Sequence, residues 1–194
     1  MDRRGVADLI VIAEVDNTPA AWSSRASAPT SHQAAGWSEK GQTLRFIAVL
    51  EHLDLRPGET VLDYGCGTGR FSAFLPHDVA YTGYDSAQGM IDRARADHPG
   101  EQFDTEIPPV IFDHVAAIGP FNLPSDGDPF AQIEWLWRMC VRRSMVLSLY
   151  RGDDTRCVRY EAGDAIAVAR RLGAQRFRID TTHLDNDLIV SFHR

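Results

Sequence analysis

The sequence predicts one α/β domain built on a doubly wound, seven-stranded sheet, mostly parallel and ending in an antiparallel hairpin. Three observations carry this. From residue 60 onward short apolar runs alternate with helical stretches, a pattern that needs crossover connections and therefore parallel strands. The first of those runs leads straight into the glycine turn Gly65-Cys66-Gly67-Thr68-Gly69, which belongs at the ligand edge of an open parallel sheet. Only Thr181 to Asp187 separates the last two runs; that is too short for a crossover and suits a hairpin.

Each element has a local reason. Residues 14–36 are rich in Ala, Ser, Thr and Pro with little apolar periodicity, so residues 1–36 are expected to form an arm or lid, without a strand, ahead of a domain at 37–194. Leu44, Ile47, Ala48, Leu50 and Leu53 recur at helical spacing, and Arg56-Pro57-Gly58-Glu59 stops that helix. Thr60–Tyr64 reads as the first strand, Arg70–Leu75 as a helical stretch and Val79–Tyr84 as the second strand. A helix follows over Ser86–Asp97, with Ser86 as its N-cap. A short strand is expected at Gln102–Asp104, a breaker at Ile107-Pro108-Pro109, and a fourth strand from Val110 or Phe112 to Ile118. Phe130–Cys140 carries an apolar stripe of Ile133, Leu136 and Trp137. Ser144–Tyr150 is the fifth strand, Ala162–Leu172 a helix, and Arg176–Asp180 and Leu188–Phe192 the closing pair.

Composition narrows the class. At 194 residues, 44% of them hydrophobic, one sizeable core is expected and two domains are not. No run reaches the roughly 18 apolar residues of a membrane span. Val6–Ala13 follows Arg3 and Arg4 and superficially looks like an export signal, but Asp8 interrupts it and Glu14 ends it. Cys66, Cys140 and Cys157 lack paired spacing, so neither a disulfide framework nor a metal site is expected, and a cytoplasmic location is. A formal charge of −7 disfavours a nucleic-acid target. Oligomeric state is not readable.

The chemistry sits at the glycine turn. Its glycines let backbone amides approach a ligand closely, and Asp63, at the strand's end, can accept hydrogen bonds from an ammonium group. Asp85 closes the second strand about twenty residues beyond Gly65, where a carboxylate can receive both hydroxyls of a ribose. The glycines alternate as GxGxG, and Arg70 stands where a dinucleotide fold has its third glycine.

With Val61-Leu62-Asp63 before it and Gly83-Tyr84-Asp85-Ser86 after it, this turn resembles that of the class I S-adenosylmethionine (SAM)-dependent methyltransferases, a Rossmann-like family, over roughly residues 37–194. The resemblance implies SAM as cofactor, with Asp63, Gly65, Cys66 and Gly67 around its amino-acid part and Asp85 on the ribose. It places Ser86 and Met90 along the adenosine, Asp104 and Thr105 near the adenine amine, and Gly119 at the cofactor edge. Trp37 is expected to cover the cofactor and Arg45 to meet its carboxylate.

An acceptor is expected between the arm and the loops after the fourth and fifth strands, which points to Phe121, Asn122 and Tyr150. Small stand-alone members of the family often show a Gly-x-Phe-Asn stretch like Gly119-Pro120-Phe121-Asn122. The Asn/Asp/Ser-Pro-Pro-aromatic motif of base amino-methyltransferases is missing. His114 and Asp113 fall at the far end of the fourth strand and are read as structural, and His183 as a loop residue. No catalytic residue is assigned. The expected activity is methyl transfer to a small polar or aromatic acceptor. The alternatives are a noncatalytic SAM-binding regulator, a methyltransferase acting on a macromolecule, and an NAD-dependent reductase, for which the chain has no room for a second nucleotide half.

Overall fold

The computed structural model describes residues 16–125 and 127–194; the signal-like run Val6–Ala13 and the first fifteen residues of the expected arm lie outside them. The helices are α1 (Pro19–Arg25), α2 (Ser31–Ala35), α3 (Glu39–Leu53), α4 (Gln88–Asp97), α5 (Pro129–Cys140) and α6 (Ala162–Leu172). The strands are β1 (Thr60–Tyr64), β2 (Ala80–Tyr84), β3 (Gln102–Asp104), β4 (Phe112–Ile118), β5 (Val141–Tyr150), β6 (Arg176–Asp180) and β7 (Asp187–His193). They form one seven-stranded sheet in the order β3-β2-β1-β4-β5-β7-β6. The pairs among β1 to β5 are parallel, and β7 runs antiparallel to both β5 and β6. Strand order reverses at β1 and β4, so the crevice at their carboxyl ends is the expected ligand site.

The sheet is covered on both faces. Phe46, Val49, Leu53, Phe71, Ile91 and Phe103 pack beneath α3, α4 and the 3-10 helix Arg70–Phe74, while Leu62, Val115, Ile133, Leu136, Met145 and Val168 pack beneath α5 and α6. The link from β3 to β4 carries no helix. Its residues, 105–111, must cross β2 and β1 to reach the far side of the sheet. At about 3.4 Å per residue such a link must run nearly extended, which Pro108 and Pro109 favour and a helix at about 1.5 Å per residue would not allow.

Residues 16–36 hold more helix than their composition suggests. Thr18 caps α1, accepting from Ala21 N at 3.2 Å, with Pro19 in the first turn. Thr30 caps α2, accepting from Gln33 N at 3.4 Å, and Gly36 ends it at φ 73°. Both caps satisfy amides that short helices leave open. Helix α1 lies on α4, where Ser23 Oγ accepts from Gly89 N at 3.1 Å and Arg93 Nη1 donates to Ala26 O and Ala28 O at 2.9 and 2.8 Å. The N-cap of α4 is Ala87, not Ser86, and has no side-chain cap of its own; Asp85 Oδ1 accepts from Ala87 N at 2.9 Å in the turn before it, and Ser23 takes the amide of Gly89.

Candidate cofactor and active site

A cavity of about 340 Å³ opens at the carboxyl ends of β1 and β4, at the lower end of the roughly 300–1,000 Å³ of small-molecule sites. Asp63, the glycine turn and Asp85 form one wall, and Gly119 and Pro120 another. Residues from the arm, among them Asn17 and Trp22, and Trp37 just after it complete the cavity.

The turn is held by the neighbouring strand. Tyr84 O accepts from Gly65 N and Cys66 N at 2.8 and 2.9 Å, and Asp85 Oδ2 accepts from Gly67 N at 2.9 Å. Gly67 has φ 54°, and a Cβ built there would meet nothing within 4 Å; the backbone faces the cavity bare, at an angle other residues adopt only at a cost. Gly119, φ 89°, is glycine for space as well: a Cβ would come within 2.7 Å of the Trp37 ring.

Two carboxylates face this space. Asp63 is buried, and its Oδ2 accepts from the Tyr81 hydroxyl at 2.8 Å while Oδ1 has no partner among the described residues. Loss of solvent pushes its pKa up to about 7, opposed by the Tyr81 hydrogen bond and assisted by the charge of Asp85. Asp85 is also raised by burial, against the two amides it holds. Each of its oxygens takes one internal bond, from Gly67 N and Ala87 N, and retains a lone pair for a ligand hydroxyl. An ammonium at Asp63 and a diol at Asp85 would satisfy both, so the residues present fit a nucleoside that carries an amino-acid tail.

Of the other residues expected at the cofactor, Cys66, Ser86, Met90, Trp37 and Gly119 line the cavity. Burial pushes the Cys66 thiol well above its ordinary range. Met90 is buried, with Ala26, Ala34 and Ala87. Asp104 and Thr105 do not line the cavity; Asp104 is exposed and its Oδ1 accepts from Glu106 N at 3.2 Å, because β3 is a three-residue edge strand that points it outward. Arg45 is also absent from the lining. Its Nε and Nη2 donate to Asp187 Oδ2 and Oδ1 at 2.6 and 2.8 Å, and its guanidinium lies over the Trp37 ring, 4.8 Å from the centroid. It supports the wall from behind.

The acceptor candidates also turn away. Phe121 is buried and stacks on Tyr64 at 5.8 Å. Asn122 Oδ1 accepts from Tyr150 N at 2.9 Å, pinning the loop after β4 to the end of β5. The Tyr150 hydroxyl accepts from Asp154 N at 2.9 Å. His114 is buried between Ser144 Oγ at 2.7 Å and Glu59 Oε2 at 2.8 Å, and Asp113 Oδ2 accepts from Thr60, so both are structural as expected. His183 sits beside Glu51, 3.1 Å away, and does not line the cavity.

Thr68, within the glycine turn, lines the cavity, and lining residues with no sequence expectation include Ser31, Gln42 and Arg70. Arg70 directly follows the glycine turn, and that adjacency is its signal in the sequence; Ser31 and Gln42 arrive from distant segments and have none. The arm is tied across the cavity: Asn17 Nδ2 donates to Pro124 O at 2.8 Å, and Asn17 Oδ1 accepts from Trp22 Nε1 at 2.7 Å.

No match is found among curated proteins. Residues 61–129 match the family model for a methyltransferase domain. Magnesium protoporphyrin IX methyltransferase from Synechocystis, solved with bound S-adenosylhomocysteine, shares the fold at a TM-score of 0.62 and 16% identity, over 84% of this chain and 85% of that one. A SAM-dependent methyltransferase from Aquifex aeolicus does so at 0.60 and 16%, over 76% and 88%. A TehB-like SAM-dependent methyltransferase from Corynebacterium glutamicum does so at 0.58 and 20%, over 82% and 90%. The matched segment holds the glycine turn and both carboxylates, and the remainder completes the seven-stranded fold that the chain shares with these methyltransferases.

Proposed function

We propose that the chain transfers a methyl group from SAM to a small polar or aromatic acceptor, with the segment from Asp16 to Trp37 acting as a lid over both. The observation that carries this reading is the convergence of two ligand-facing carboxylates and a bare glycine turn in one small cavity. SAM supplies a methyl already activated on a sulfonium, so the protein's task is to hold and align its ligands. Asp63 accepts the amino-acid ammonium and Asp85 the ribose hydroxyls. Ser86 and Met90 border the adenosine, and Trp37, braced by Arg45, closes the opposite side.

A small acceptor suits the space. The lining offers Trp22, Tyr64 and Tyr84 as aromatic surface and Asn17, Ser125 and Gln132 as neutral polar groups. Burial and the nearby Tyr84 and Asp85 push Tyr64 up to about 12, so its phenol orients ligands and does not take protons. No residue is assigned as a general base.

Calorimetry with SAM, S-adenosylhomocysteine, NAD and ATP tests the cofactor half of this reading; the two SAM-type ligands should bind more tightly, and tighter binding of NAD would overturn it. Labelled methyl transfer offered to small amines, thiols and phenols beside DNA, RNA and protein tests the acceptor half. Transfer to a macromolecule alone would overturn that part.

A further inference from the structure

We infer that the apolar run at residues 6–13 seats on a strip between α5 and the link 105–111, where the cover of the sheet thins at one corner. Register carries the face across the strands: Leu62, beneath α5 and α6, lies opposite Thr82, and Thr82 opposite Gln102, while Tyr64, Tyr84 and Asp104 form the next row. Residues in one row share a face, and so do rows two residues apart. Leu62 is buried there, but Gln102 and Asp104 are exposed, whereas Tyr81 and Phe103 on the opposite face are buried. Among the described elements, none but the helix-free link 105–111 crosses this corner.

The strip is apolar. Val110 and Ile111 of the link are 51% and 53% exposed, and Trp135 and Met139 of α5 are 47% and 56% exposed. On α5, Ile133, Leu136, Trp137 and Cys140 face the core, and Glu134 Oε2 accepts from Arg171 of α6 at 3.0 Å. At about 3.6 residues per turn, Trp135 and Met139 then fall on the flank away from α6. Phe112 pairs with Val141, so Ile111 and Met139, just ahead of those two residues, emerge at the same end of the sheet. Exposed apolar surface gathered in this way calls for a partner, and the chain supplies one. Followed backwards from α1, which lies on α4, it crosses the cavity to Asn17, whose Nδ2 donates to Pro124 O in the loop leading into α5. Gln132, on the same flank as Trp135 and Met139, lines the cavity together with Asn17. Ala13 can lie no more than about 14 Å from Asn17, so the run, polar only at Asp8, is delivered to the head of the strip. It is too short to cross a bilayer, and its tether favours it over a second copy of the chain.

Hydroxyl-radical labelling of the full chain, read by mass spectrometry, tests this. In Leu9→Asp/Ile10→Asp, Trp135 and Met139 should be labelled several-fold faster than in the wild type, while Phe177, exposed on β6 outside the strip, keeps its rate. Equal rates at Trp135 and Met139 in the two folded proteins would overturn the inference. A photoreactive benzoylphenylalanine in place of Ile10 reads the same contact without placing a charge in the run, and its crosslinks should fall within one chain, on residues 105–111 or on α5. Crosslinks to other elements would overturn it. So would protection of Trp135 and Met139 that fades on dilution, with crosslinks between chains, since a second copy would then be the occupant.

Discussion

At the carboxyl ends of β1 and β2 two acids, Asp63 and Asp85, face the cavity, whereas after β4 and at the end of β5 the polar side chains turn back onto the chain's own backbone. Asp63 keeps an unpartnered oxygen, and Asp85 adds a ligand lone pair to each bond it already makes. Asn122 and Tyr150, by contrast, spend their side chains on Tyr150 N and Asp154 N. The difference shows what each wall is for. The wall of Asp63 and Asp85 keeps acceptor capacity facing the cavity, where a ligand's donors can use it. The wall after β4 is satisfied within itself, and the arm completes the surface beside it.

The largest effect should come from Arg45→Met, which separates wall from support. It leaves the Asp187 carboxylate, 0% exposed, with Ser148 as its remaining side-chain donor, and should cost about 3–5 kcal/mol in a denaturant melt. Arg45→Met/Asp187→Leu should recover most of that. Normal stability with weakened S-adenosylhomocysteine binding would return Arg45 to the cofactor wall.

Asp63→Asn should weaken S-adenosylhomocysteine by about 2–3 kcal/mol, and pH sharpens the test. With its pKa raised to about 7, wild-type Asp63 must lose a proton to meet an ammonium, so affinity should rise as pH passes through about 7; in Asp63→Asn that rise should vanish. Ligand-free stability runs the other way. The folded state's preference for the protonated acid is complete below the ordinary 3.8 and lost as pH rises through about 7, so the wild type should lose stability across that window and the variant should not. An equally steep affinity profile in Asp63→Asn would place the titrating group elsewhere.

Asp85→Ala should weaken SAM-type ligands by about 1.5–3 kcal/mol. Because Asp85 also holds Gly67 N and Ala87 N, a stability loss of about 1 kcal/mol should accompany it. Unchanged affinity in a folded variant would reduce Asp85 to a brace of the turn. The smallest effect belongs to Asn17→Ala, which removes the bonds to Pro124 O and Trp22 Nε1. It should speed proteolysis between Asn17 and Gly36 by several-fold, from a local loss of about 1 kcal/mol, and S-adenosylhomocysteine should slow that cleavage in the wild type. Equal cleavage with and without ligand would mean the arm is no lid.

The sequence by itself determined the sheet and brought Asp63, the glycine turn and Asp85 to one edge of it. The bounds of β1, β3, α6 and β6 match their apolar patterns, and the last seven-residue connection required the hairpin, because periodicity and chain reach are local properties. Asp63 and Asp85 were legible for the same reason: a glycine turn tied to a strand's end leaves their positions little freedom.

Tertiary structure decided what depends on partners far along the chain. Nothing near Arg45 marks it as the mate of Asp187, 142 residues away, and that pairing keeps it out of the cavity lining. Asp104 reads like Asp85 as an acid at a strand's end, yet β3 is a short edge strand and exposes it. The arm's composition suggested no order, because a cap at Thr18, a bed on α4 and a bond from Asn17 to Pro124 exist only once the sheet has brought those groups together. Local pattern specifies backbone, and a side chain's task follows from which distant groups have already taken its bonds.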